Sequence, residues 1–84
     1  MSQWDKLLDA ILSEDSSLRF DDLRKALIKI GYTECQSNGG GSHYTFRKSG
    51  CMPITIPKHG TLNRAYIRSV SKAVKAYLEE DNIE

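Results

Sequence analysis

Trp4, Leu7, Leu8, Ile11 and Leu12 recur at steps of three and four, with Asp5, Lys6 and Asp9 between them. That period is one apolar face of a helix, and it predicts a first helix from Trp4 to Leu12, with Ser2 able to cap its start. Ser13 to Ser17 is a polar break. A second helix is expected over Asp21–Ile30, with Leu23, Leu27 and Ile30 inward. Asp21 and Asp22 suit its positive N-terminal end, and Gly31 suits its C-terminal cap. The period then changes to two. Tyr32–Gln36 reads as a first short strand, closed by Ser37, Asn38 and three glycines. Ser42–Lys48 reads as a second, with Tyr44 and Phe46 on one face and His43, Thr45 and Arg47 on the other. After the turn pair Ser49-Gly50, Met52–Pro57 reads as a third, with Ile54 and Ile56 opposite Thr55. Pro53 and Pro57 cannot donate to a ladder, so this strand should be short or at an edge. A final helix is expected over Arg64–Glu80, with Asn63 as N-cap and Ile67, Val70, Val74 and Leu78 buried. Glu79, Glu80 and Asp81 oppose the dipole at its end, where fraying is expected.

The order α-α-β-β-β-α predicts an α+β fold, with a three-stranded antiparallel sheet and its helices on one face. An antiparallel sheet tolerates one open face. At 84 residues the chain is read as a single domain, 1–84, with residues 1–17 a helical extension of a core at 18–80. No apolar run approaches the roughly 20 residues of a membrane span, and Met1 to Asp5 lacks the start of a signal peptide. A cytoplasmic protein without a membrane partner is the expectation. Cys35 and Cys51 are too few for a disulfide framework and are expected reduced and partly buried. Cys35, His43, Cys51 and His59 fall eight residues apart, but the short paired spacings of structural zinc sites are missing, so no metal or other cofactor is called.

Charge changes the picture more than composition does. The formal net charge is +1, yet Cys35 to Leu78 contains no Asp or Glu. Arg47, Lys48, Lys58, Arg64, Arg68, Lys72 and Lys75 all lie inside that stretch. A basic middle between acidic ends is the composition of a polyanion-binding surface. The acidic ends would shield that surface in the free protein or shape the contact with a partner. Triads with an acidic member are excluded by the acid-free stretch around both histidines. A P-loop is excluded because no Gly-Lys-Ser/Thr follows the glycines, and Cys51 has no helix N-terminus to lower its pKa.

The run Gly41-Ser42-His43-Tyr44-Thr45-Phe46-Arg47 resembles the Gly-Ser-His strand of HicA-type toxins, mRNA interferases of bacterial toxin–antitoxin pairs. Ile54-Thr55-Ile56-Pro57-Lys58-His59-Gly60 is similar to that family's apolar-Thr-apolar-Pro-x-His segment. Asp22-Leu23 to Gly31-Tyr32 resembles the opening helix and Tyr66-Ile67-Arg68 to Val74 the closing one, so the likeness spans Phe20 to Leu78. The helix at Trp4–Leu12 and the glycines before Gly41 depart from the short family core. The resemblance implies a double-stranded-RNA-binding-domain-like fold and metal-independent cleavage of mRNA, a hydrolase activity of stress response. It also implies neutralisation by a HicB-type antitoxin. Assembly with itself or with that antitoxin is left open.

Metal-free RNA cleavage needs a base for the 2′-hydroxyl, an acid for the leaving oxygen and positive charge for the phosphorane. A histidine suits the proton transfers, because its unperturbed pKa of about 6.5 lies near working pH. His43 is therefore the candidate catalytic residue. Gly41 and Ser42 are candidates to bring backbone amides to a phosphate, and Arg47, Lys58, Arg64 and Arg68 to stabilise charge. His59 is a candidate RNA contact or second proton-transfer group. The alternatives are a non-catalytic duplex-RNA-binding module of the same fold, or a protein-interaction domain using the Trp4 helix and the acidic ends.

Overall fold

A computed structural model describes residues 3–36, 43–58 and 62–81. Three helices and three strands follow in the order α1 (Gln3–Leu12), α2 (Phe20–Lys29), β1 (Thr33–Gln36), β2 (His43–Arg47), β3 (Ile54–Pro57) and α3 (Arg64–Asp81). The fold is α+β, with one antiparallel sheet in the order β1-β2-β3. Thr33 pairs with Arg47 and Cys35 with Thr45, while His43 pairs with Pro57 and Thr45 with Thr55. The third strand, which ends in Pro57, is short and lies at an edge, where a missing N–H costs the ladder least.

Alternation along β2 assigns the two faces. Phe46 is fully buried and Tyr44 half-buried, while His43 and Arg47 are exposed. Phe46 and Ile56 share a buried cluster with Ile11 of α1, Leu23 and Leu27 of α2, and Ile67, Val70 and Val74 of α3. Each fully buried side chain of this kind is worth about 2 kcal/mol of transfer free energy. The helices thus cover the Phe46 face. Glu34, opposite Phe46, points the same way and binds the Arg24 guanidinium of α2 at 2.7 Å.

Helix ends follow local chemistry. The backbone N–H of Arg19 donates to the Asp22 carboxylate at 2.9 Å, closing one half of a capping box at α2. At its other end Gly31 adopts φ +107°, with Gly31 N–H donating to Ile28 O at 3.1 Å and Tyr32 N–H to Leu27 O at 2.9 Å. This double bond pattern is a Schellman motif. It also corrects the first strand, which starts at Thr33 and not Tyr32, because the Tyr32 N–H is spent on the helix. α1 closes in the same pattern, with Glu14 at φ 55°. The Asn63 side chain accepts the Ala65 N–H at 3.0 Å, which caps α3. α3 continues through Asp81. Ser2 and the Ser37 to Ser42 stretch lie outside the described residues.

Two further expectations need correction. Met52 is 84% exposed and lies outside the third strand, which begins only after Pro53. Cys51 is exposed and Cys35 half-buried, both free thiols, so partial burial holds for Cys35 alone. Cys51 is the last residue of the turn Lys48–Cys51, closed by Cys51 N–H to Lys48 O at 3.0 Å with Gly50 at φ +80°. No helix among the described residues is long and apolar enough to cross a membrane.

Candidate functional site

The face of the sheet away from the helices carries His43, Thr45 and Arg47 from β2, Thr33 and Cys35 from β1, and Thr55 and Pro57 from β3. This follows from the register and the two-residue period. His43 opens β2, directly opposite Pro57 and diagonal to Cys35 and Thr55. The Thr45 and Thr55 hydroxyls share a hydrogen bond at 3.1 Å, which fixes the middle of the surface beside His43. No described residue on this face is a carboxylate. Among the described residues its polar groups are hydroxyls, a thiol, an imidazole and a guanidinium.

Arg47 shares the face but not the immediate site. Four residues along a strand span roughly 13 Å, so the two side chains leave the sheet well apart. Lys58 follows Pro57 and turns to the helix side, its ammonium 5.6 Å from the Tyr44 ring centroid. The Tyr44 ring in turn packs at 5.3 Å from that of Phe20. Arg64 and Arg68 are exposed on α3, and Arg68 meets the Glu14 carboxylate at 3.4 Å. Gly41, Ser42 and His59 lie outside the described residues.

The basic middle of the sequence therefore does not form one surface. On α3, Arg64, Arg68, Lys72 and Lys75 occupy an arc of about 80°, centred well away from Ile67, Val70 and Val74. Arg68 shows that this arc turns toward the end of α1. The opposite flank carries Tyr77, which Lys48 of the β2–β3 turn approaches at 5.1 Å. The helix stripe and the open sheet face thus point to different sides. Lys48 is consumed internally, since its ammonium donates to Ile30 O at 2.9 Å.

Cys35, raised in the sequence only as a member of the eight-residue Cys/His series, is a diagonal neighbour of His43 on this face. The signal was available in the alternation of β1, where Cys35 falls out of phase with the inward Glu34. Among the described residues no group of three or more His, Cys, Asp or Glu is placed to hold a metal ion. The Cys35-His43-Cys51-His59 series includes His59, outside the described residues. The chain matches no protein-family model, no curated protein and no solved structure.

Proposed function

We propose that this chain is a metal-independent endoribonuclease of the HicA type, acting on mRNA in the cytoplasm and neutralised by a HicB-type antitoxin. The observation that carries the reading is the position of His43: exposed, at the start of β2, on the uncovered face of the sheet. The α-β-β-β-α order of the core supports a double-stranded-RNA-binding-domain-like fold, and four family-like segments run in matching order along it.

In this reading His43 takes the proton of a ribose 2′-hydroxyl. The 2′-oxygen bonds to the adjacent phosphorus, the bond from phosphorus to the 5′-oxygen breaks, and that oxygen leaves protonated. The products are a 2′,3′-cyclic phosphate and a 5′-hydroxyl, with no metal in the balance. Gly41 and Ser42 would offer backbone N–H groups to the phosphorane, and Arg47 would hold a phosphate farther along the strand. His59 is the remaining candidate for the second proton transfer.

Purified chain should cut labelled mRNA in excess chelator, and His43→Ala should lose about 10²- to 10⁴-fold in rate with its thermal unfolding unchanged. Cleavage by His43→Ala at the parent rate overturns the assignment. The uncharged, threonine-lined middle of the open face favours a second reading, a module that binds RNA by shape and 2′-hydroxyls without cutting. RNA retained by the purified chain and left intact for hours would select it.

A further inference from the structure

A cavity of about 510 Å³ opens on the helix side of the sheet, between the start of α2 and the chain leaving β3. Its wall combines the apolar Leu18, Phe20 and Leu62 with Arg19, Lys58 and Asp21. Leu18 and Phe20 are nearly buried, so the apolar part belongs to the core and is preformed. Arg19 and Asp21 are exposed and free to turn to a ligand. Arg19 caps α2 through its backbone N–H, which leaves the guanidinium out of the capping contact. The cavity's volume is in the range of small-molecule sites, and Ser16, Ser17, Arg19, Asp21 and Lys58 make most of its lining polar around a small apolar floor.

We infer that this cavity takes one nucleotide of an RNA strand. The base lies against Phe20, Leu18 and Leu62, and the phosphate lies between Arg19 and Lys58. The small exposed part of Leu18 and Phe20, with the half-buried Leu62, gives an apolar contact that suits a base of any identity. The Asp21 carboxylate adds a preference for an edge rich in N–H donors. Guanine offers N1–H and the N2 amino group side by side, whereas uracil offers a single N3–H flanked by two carbonyl oxygens that a carboxylate repels.

The inference rests on the nuclease reading for its biological sense, and the topology links the two sites. Lys58 directly follows Pro57, which pairs with His43, and Tyr44 beside His43 faces inward toward Phe20. The cavity and His43 therefore share one end of the sheet, on opposite faces. A strand crossing that end places a phosphate at His43 and a neighbouring nucleotide in the cavity.

The test is a titration of ¹⁵N-labelled full chain with guanosine 5′-monophosphate, uridine 5′-monophosphate and inorganic phosphate. Expected are shifts at Leu18, Arg19, Phe20, Lys58 and Leu62 with the guanine nucleotide, weaker ones with uridine, and little effect of phosphate alone. The pair Arg19→Ala, Lys58→Ala should weaken guanosine monophosphate about tenfold, and Asp21→Ala should erase the preference over uridine. Absence of shifts at the cavity, or equal shifts with phosphate alone, overturns the site. His43→Ala should bind the nucleotide as the parent does. Binding without any RNA cleavage would leave the cavity standing and remove the nuclease reading.

Discussion

The ammonium of Lys48 donates to the carbonyl oxygen of Ile30 at 2.9 Å, joining the turn after β2 to the C-terminal end of α2 across 18 positions of sequence. It also lies 5.9 Å from the Tyr32 ring centroid and 5.1 Å from that of Tyr77. A cation at a helix C-terminus meets both a carbonyl left without an intrahelical partner and the negative end of the dipole. Lys48→Met keeps the aliphatic stem and removes the charge. It should lower stability by about 1–2 kcal/mol in urea unfolding while leaving RNA affinity nearly unchanged. A marked loss of RNA affinity with intact stability would return Lys48 to the binding surface.

Gly31 stands beside this contact with φ +107°, and a Cβ built there would lie 3.3 Å from Lys48 Cε. Gly31→Ala combines left-handed strain with displacement of the lysine stem. A loss of about 1–2 kcal/mol is expected from the backbone alone. Guanidinium unfolding of the single and double variants with Lys48→Met tests whether the two effects are coupled.

Ser71 is 1% exposed in the middle of α3, and its hydroxyl finds no hydrogen-bond partner among the described residues. Burial without a partner costs a hydroxyl about 1–3 kcal/mol. Alanine also has the higher helix propensity. Ser71→Ala should therefore raise the unfolding midpoint, by roughly 1 kcal/mol in free energy. A destabilised variant would mean that the hydroxyl is bonded in solution.

Two groups give the stability a readable pH dependence. Burial, then a hydrogen bond to the Cys51 thiol and the nearby Cys51 and Glu80 charges, hold the Tyr32 phenol above its ordinary value of 10.0. The folded state prefers the neutral phenol, so this contribution is present below pH 10 and is lost as pH rises through the higher folded value. Tyr32→Phe should flatten the alkaline limb of a stability profile. Asp15 shifts the other way, because its carboxylate accepts the Ser17 N–H and hydroxyl, both at 2.8 Å. Its contribution is present above its ordinary 3.8 and is lost as pH falls through the lower folded value. Asp15→Ala should flatten the acid limb.

On the RNA-binding reading proposed above, the separation of Arg47 from the α3 stripe predicts distinct roles for the two. Arg47→Ala should reduce the slope of log affinity against log salt by about one, as loss of one phosphate contact does. Arg68 is engaged by Glu14, so Arg68→Ala should change the slope less, and Glu14→Gln should strengthen binding slightly if that acidic residue shields the stripe. Filter binding from low to moderate salt distinguishes the cases, and equal slope changes at Arg47 and Arg68 would refute the separation.

The periodicities of Trp4–Leu12 and Ile67–Leu78, the alternation through Phe46 and the caps at Gly31 and Asn63 are local signals. Their elements stand in the structure within one or two residues. Local sequence determines these because hydrogen bonding along a helix and the two-residue pleat act between near neighbours. His43 on the open face was legible for the same reason. The fate of the charges was not. An acid-free run of sequence says nothing of which side each side chain takes after the chain reverses. Only the tertiary fold carries Glu14 to Arg68, draws Lys48 onto Ile30 and turns Lys58 to the helix side. Those pairings join residues distant in sequence, and packing of the helices on one face of the sheet decides them.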